Sequence, residues 1–258
     1  MVEVDEFIIA GERIRSRLWL GTARYPSPQI LVEALQRGNA GMVTVAVRRI
    51  NLHAPQDTFL DLLIGRFPLL PNTAGCRTAE EAIFLAELAR EALQTNWIKL
   101  EVVGDERLLW PDSEQLLIAA RELVRRGFVV LAYAPDDPTV CERLAEAGCA
   151  AVMPLAAPIG SGQGLRDPER LLWIRHRLPN LPLVIDAGIG GPADAALSME
   201  LGYDAVLVNT AVAEAQNPIL MAEAMRLAVE AGRKAYLAGK IPKVSYARPS
   251  STLEGLPF

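Results

Sequence analysis

The residue types that carry much of enzyme chemistry are scarce in this chain. Its 258 residues include three cysteines, two histidines and four lysines. Cys76, Cys141 and Cys149 form no Cys-x-x-Cys pair and leave an odd thiol, which excludes a disulfide framework and a zinc site. His53 and His176 are too few for a catalytic metal centre, and neither a metal nor an organic cofactor is expected. His176 stands in Arg175-His176-Arg177 on a helical segment and reads as a solvated face, whereas His53 lies in a loop without a visible partner. There is no Gly-x-Ser-x-Gly elbow and no phosphate-loop lysine, so triad and nucleotide hydrolysis are unsupported. No basic excess exists either: 26 basic against 31 acidic residues give a net charge of −5, which argues against a nucleic-acid partner. No apolar run approaches the roughly 18 residues of a membrane span, and the acidic opening Met-Val-Glu-Val-Asp-Glu is unlike a signal peptide. A cytoplasmic protein without membrane contact is expected. With 51% hydrophobic and 22% charged residues, disorder is excluded.

The alternation of segments is what stands out. Apolar, β-branched runs recur at Arg17–Gly21, Met42–Val47, Pro68–Pro71, Trp97–Val103, Phe128–Ala134, Ala151–Leu155, Leu183–Asp186 and Ala205–Asn209. Several are apolar throughout, as parallel strands covered on both faces are. Helical segments follow each. Ser27-Pro28 opens one that closes at Gly38, Thr78-Ala79-Glu80-Glu81 is a capping box, and Asp112 starts a helix ended by Gly127. Pro138, Pro168, Pro192 and Pro218 sit at helix starts, and only Thr58–Ile64 is short and weak. Eight βα units without a linker predict α/β architecture: one (βα)₈ TIM barrel domain over 1–258. Residues 1–16 form an N-terminal extension whose Phe7-Ile8-Ile9-Ala10-Gly11 reads as a small strand and turn plugging the base. Residues 243–258 form an irregular tail over the surface. The competing open doubly wound sheet is weakened because the glycine-rich run Gly160–Gly164 follows the sixth strand, not the first.

A barrel directs attention to the C-terminal ends of its strands. Lys99 is the one lysine outside the last tenth of the chain, where Lys234, Lys240 and Lys243 lie. In Trp97-Ile98-Lys99-Leu100-Glu101-Val102, the two-residue period turns Lys99 and Glu101 inward and the apolar set toward the helices. Burial would push such a lysine toward its neutral, nucleophilic amine. A structural Lys–Glu ion pair is the alternative, although a chain so rich in arginine would more naturally use arginine for an inert cation. Asp186 ends the seventh strand and is placed to move protons. After it, Ala187-Gly188-Ile189-Gly190-Gly191 precedes a helix whose N–H groups would face an anion. Asn209-Thr210 and Gly160 bring two further loops to the same face, and together the three read as a phosphate pocket. Arg48-Arg49 and Asn72-Thr73-Ala74-Gly75 close strands two and three, where substrate contact and plain solvation or loop capping are equally open.

Six motifs in order resemble thiazole synthase of thiamin biosynthesis. They are Val43–Asn51, Leu70–Cys76, Ile98–Val102, Ala157–Gly162, Asp186–Gly190 and Val208–Ala211, with similarity from Tyr25 nearly to the C-terminus. The resemblance implies a transferase (a sulfurtransferase) in which Lys99 forms a Schiff base with 1-deoxy-D-xylulose 5-phosphate. It implies acid/base roles for Glu101 and Asp186, and substrate binding by Gly160, Ala187, Gly188, Asn209 and Thr210. Sulfur would arrive as the thiocarboxylate of a sulfur carrier protein, dehydroglycine (2-iminoacetate) would complete the ring, and a homo-oligomer, tetramer or dimer, is implied. Two departures replace glycine by alanine: Gly21-Thr22-Ala23-Arg24-Tyr25 stands where the family has Gly-Thr-Gly-Lys-Tyr, and Ala156-Ala157 where it has Gly-Ala. A class I aldolase-like Schiff-base enzyme acting on a phosphorylated sugar, and a non-catalytic phosphosugar-binding barrel, are the rival readings.

Overall fold

The computed structural model describes residues 5–49 and 58–248, apart from the side chains at 49, 58 and 59. Eight parallel strands carry the fold: β1 (Leu18–Gly21), β2 (Val43–Ala46), β3 (Leu69–Asn72), β4 (Trp97–Leu100), β5 (Val129–Ala134), β6 (Ala151–Pro154), β7 (Val184–Asp186) and β8 (Ala205–Val208). They hydrogen-bond in the order β6-β5-β4-β3-β2-β1-β8-β7. Parallel bridges Val152–Leu183 and Leu155–Asp186 join β6 to β7 and close the circle. Helices α1 (Pro28–Arg37), α2 (Thr58–Asp61), α3 (Ala79–Leu93), α4 (Ser113–Arg125), α5 (Pro138–Glu146), α6 (Pro168–Arg177), α7 (Pro192–Glu200) and α8 (Pro218–Ala238) follow the strands in turn. This is the TIM barrel that the alternation predicts.

Each helix start has a local cause. Ser27 Oγ accepts from Ile30 N at 3.2 Å, Asp112 Oδ1 from Gln115 N at 3.0 Å, and Asp137 Oδ1 from Thr139 N at 2.7 Å. Asp167 and Asn217 accept from Arg170 N and Leu220 N in the same way. The capping box at Thr78 is half formed. Its hydroxyl accepts from Glu81 N, but the Glu81 carboxylate reaches back one residue further, to Arg77 N at 2.9 Å.

The alternation along the strands separates two apolar layers. Leu18, Leu20, Val43, Ile98, Leu100, Val130, Val152 and Ile185 face the helices. Trp19, Leu70, Leu131, Met153, Val184 and Leu207 fill the inside. An antiparallel hairpin, Ile8–Ile9 with Glu12–Arg13, closes the floor. Its turn sets Ala10 and Gly11 at φ 48° and 82°, and Phe7, Ile9 and Ile14 pack onto Trp19, the Phe7 and Trp19 ring centroids being 6.1 Å apart. The extension therefore plugs the base, as its apolar pentapeptide predicts.

Two expectations are corrected. Trp97–Val103 is not one strand. β4 ends at Leu100, and Val103–Asp105 pairs with Trp110–Pro111 in an antiparallel excursion over the mouth. Arg175 is not part of a solvated face either. It is 8% exposed, donating to Asp204 Oδ2 and to Leu181 O at 2.9 Å and also to Leu178 O, while His176 beside it is exposed. A step of one residue turns a helical side chain by about 100°, enough to carry it from an inward to an outward position, and local charge composition does not report which is which. A further short helix, Thr210–Ala213, precedes α8. The tail is exposed as far as Arg248; His53 and residues 249–258 lie outside the described residues.

Asp204 is the anion of a network at the barrel floor. It accepts from Arg175 and from Leu183 N at 2.9 Å, and Arg17 joins it to Asp5, which Arg233 of α8 also grips at 2.6 Å. Asp204→Ala leaves the Arg175 cation buried without a counter-charge, and the expected loss is about 3–5 kcal/mol. Urea denaturation followed by far-UV circular dichroism measures it; a midpoint equal to that of the parent chain refutes the assignment.

Candidate active site

The C-terminal ends of the strands surround a cavity of about 820 Å³. Lys99, Glu101, Asp186, Gly160, Ala187, Gly188, Asn209 and Thr210 all line it. The inward period of β4 places Lys99 beside Asn72 of β3 and Leu131 of β5. Its Nζ lies 2.6 Å from Asp186 Oδ2 and 3.0 Å from Glu101 Oε1. All three side chains are nearly inaccessible, at 6%, 5% and 5% exposure for Lys99, Glu101 and Asp186. Thr73 holds the end of β4 in place, its hydroxyl donating to Glu101 O and accepting from Glu101 N, both at 2.8 Å.

The electrostatics correct the expectation of a neutral resting amine. Burial does push Lys99 toward losing its proton. The negative charges of Asp186 and Glu101 outweigh it and hold the lysine above its ordinary pKa. One ammonium cannot balance two buried carboxylates, and the surplus falls on Asp186. Burial raises its pKa to about 6, the Lys99 charge opposing and the Glu101 charge adding. The site at rest is an ammonium flanked by two carboxylates, one of them near neutrality in its proton affinity.

The loops after β6 and β7 are stitched together by close backbone approach. Gly188, at φ 84°, follows Ala187 at φ 70°. A Cβ on Gly188 would stand 2.4 Å from Ala157 N, and one on Gly190 would stand 2.3 Å from Gly162 O. Gly164 N donates to Gly188 O at 2.8 Å. Two amides just ahead of the helix that starts at Pro192 are occupied from within the chain: Asp194 Oδ2 accepts from Gly190 N at 2.9 Å and Gly191 N at 3.0 Å. Gly160, Gly188 and Thr210 line the cavity. Asn209 packs against Gly21; with its amide set by its surroundings, Nδ2 donates to Ala23 O at 3.0 Å and Gly21 O at 3.3 Å. Its side chain thus fastens the β1 loop.

Arg48 stands away from the cavity, 3.4 Å from Glu81 Oε2. Asn72, Ala74 and Gly75 do line the cavity, and Thr73 does its work beneath. Sequence reasoning missed the rim: Arg77 pairs with Glu106 at 2.7 Å, Arg24 pairs with Glu214 at 2.7 Å, and Leu109 of the hairpin reaches the cavity. It also missed Tyr133, whose ring centroid is 5.5 Å from Lys99 Nζ. The two-residue period that turns Lys99 inward would have found it.

Comparison with known proteins now decides the family. The family model described as thiazole biosynthesis protein ThiG matches residues 8–252. The chain belongs to the ThiG family. It is 53% identical over 252 residues to the thiazole synthase of Azorhizobium caulinodans, covering 98% of this chain and 94% of that one. It is 52% identical over 254 residues to that of Geobacter sulfurreducens, covering 98% and 97%. Among solved structures, the crystal structure of the Amycolatopsis orientalis BexX/CysO complex superposes with a TM-score of 0.83 at 33% identity, covering 93% of this chain and 98% of that one. ThiG-family membership makes the chain an enzyme of thiazole synthesis in thiamin biosynthesis. Of the two alanine departures, Ala23 accepts from Asn209 through its carbonyl, and Ala156 donates its N–H to Ala187 O at 3.3 Å.

In protein labelled with ¹³C-carboxyl aspartate, one resonance is expected to titrate near pH 6 and to vanish in Asp186→Asn. A spectrum in which every aspartate titrates below about 5, as ordinary carboxyls do, overturns the account of the surplus charge.

Proposed function

We propose that this ThiG-family enzyme is a thiazole synthase that holds 1-deoxy-D-xylulose 5-phosphate as an imine on Lys99. Sulfur comes from the thiocarboxylate end of a sulfur carrier protein and the remaining atoms from dehydroglycine, giving a thiazole phosphate by sulfur transfer. The observation that carries this reading is the single cavity lysine between two carboxylates, in a family of thiazole-forming enzymes. Because Lys99 rests as an ammonium, the first act is internal. Ionised Asp186, the nearer carboxylate, takes a proton from Nζ and frees the amine to attack the ketone carbon. The same proton then leaves with the carbinolamine hydroxyl as water, and the iminium remains. Glu101, 3.0 Å from Nζ, and the regenerated Asp186 carboxylate move protons for the rearrangement of the imine along the sugar and for the later dehydration. The loops bearing Gly160, Ala187-Gly188 and Asn209-Thr210 hold the phosphate end. The chemistry so written draws on no metal or organic cofactor of this chain. A relative crystallised with a second protein, CysO, supports a protein partner for the sulfur step.

Incubation with the phosphosugar, borohydride reduction and peptide mapping tests the imine: the adduct is expected on Lys99 and absent from Lys99→Ala. Binding without an adduct refutes it. Adding carrier thiocarboxylate and dehydroglycine is expected to yield the thiazole, and an adduct that turns over without thiazole means an aldolase-like enzyme instead. Imine formation is expected to slow about tenfold per pH unit below about 6, because protonated Asp186 cannot accept the lysine proton. Asp186→Asn is expected to slow it about 10²–10⁴-fold and to remove that acid limb. A mutant profile that keeps the limb reassigns the base.

A further inference from the structure

The carboxylates account for two sides of Lys99, and β5 supplies another. In Val129-Val130-Leu131-Ala132-Tyr133-Ala134 the alternation turns Leu131 and Tyr133 into the barrel. Leu131 is the register partner of Lys99, so Tyr133 stands one inward layer nearer the mouth on the adjacent strand. It is fully buried, with Lys99 Nζ over its ring at 5.5 Å from the centroid. That is within the range at which a ring face attracts a cation. The hydroxyl has only a long contact, donating to Leu109 O at 3.5 Å. Burial, with the charges of Asp186 and Glu101 adding, holds its proton firmly, so the ring stays neutral.

We infer that Tyr133 is a positioning residue whose ring face holds the cationic forms of Lys99, first the ammonium and then the iminium, in the line of the substrate carbonyl. The second half of that statement rests on the imine reading above. A ring differs from a third carboxylate in one decisive way: it attracts positive charge without competing for the proton. Asp186 is neutralised when it takes the lysine proton, whereas the ring takes no proton and keeps the same face toward the nitrogen throughout. The charge of the iminium resides at the same nitrogen, so the ring attracts it as it attracts the ammonium. The charged groups facing Lys99 are Glu101, just past the end of β4, and Asp186 of β7; Asn72, its register partner on β3, is uncharged. The ring face is thus the neutral element of the set, and its effect is separable from theirs.

The test compares Tyr133→Phe, which keeps the ring, with Tyr133→Leu, which keeps only bulk. Tyr133→Met is a second ringless variant should the leucine chain fail to fold. The pH dependence of Lys99 modification by an amine acylating reagent, read by peptide mass spectrometry, requires no substrate. Its midpoint is expected to fall by about 0.4 to 1.5 pH in the ringless variants and to stay near the parent value in Tyr133→Phe. In borohydride trapping with the phosphosugar, the ringless variants are expected to form the adduct more slowly than the parent, because the nitrogen is no longer held in line with the carbonyl. Tyr133→Phe is expected to trap like the parent, with equilibrium phosphosugar binding unchanged in all three. A ringless variant that keeps the parent midpoint refutes the inference, and so does Tyr133→Phe falling as far as the ringless chains. Absence of any adduct in the parent protein overturns the imine reading, while the acylation midpoints still decide the part played by Tyr133.

Discussion

A charged nitrogen inside a packed barrel is the constraint from which the upper half of this structure follows. Moving an ammonium out of water costs several kcal/mol even after relaxation, and the cost is met only where counter-charges converge. Glu101 comes from the same strand end as Lys99, but Asp186 comes from β7, so closure of the circle is itself a condition for the cluster. The Leu155–Asp186 bridge is part of that closure. Below the cluster the interior is apolar and sealed by the N-terminal hairpin; above it, loops rich in glycine contribute much of the cavity wall. The boundary between the two lies at the layer where Lys99 sits.

The cluster carries more negative than positive charge, and that imbalance has a chemical use. An ammonium paired with a single carboxylate is a stable salt bridge with little reason to give up its proton. Burial, with the second carboxylate adding, raises the proton affinity of Asp186 into the range where transfer from lysine is less uphill. The same imbalance costs stability, as functional sites commonly do. Elsewhere particular polar groups are answered close by: Asp194 occupies the two amides just ahead of α7, and Asp204 answers Arg175 at the floor.

Much of the molecule was legible along the chain because its signals are local. Strand and helix alternate at a readable period, and Ser27, Asp112, Asp137, Asp167 and Asn217 announce their helices by satisfying amides two or three residues on. The inward turn of Lys99 follows from the same counting. Contacts made across the barrel were illegible. Arg175 looks solvated until α6 is set down on the β7–β8 connection. The excursion after β4 was masked because Val103 continues the apolar run of Trp97-Ile98-Lys99-Leu100 although its backbone leaves the sheet.

By itself the sequence determined the barrel, the helix starts, the inward face of Lys99 and the kinship of its motifs, because each depends on residues a few positions apart. Only the tertiary structure decided the state of that lysine. Whether it rests as amine or ammonium depends on how many carboxylates reach it and from where, and Asp186 is 87 positions away along the chain yet 2.6 Å from Nζ. Burial alone would have discharged Lys99; two opposing charges brought together by barrel closure keep it charged.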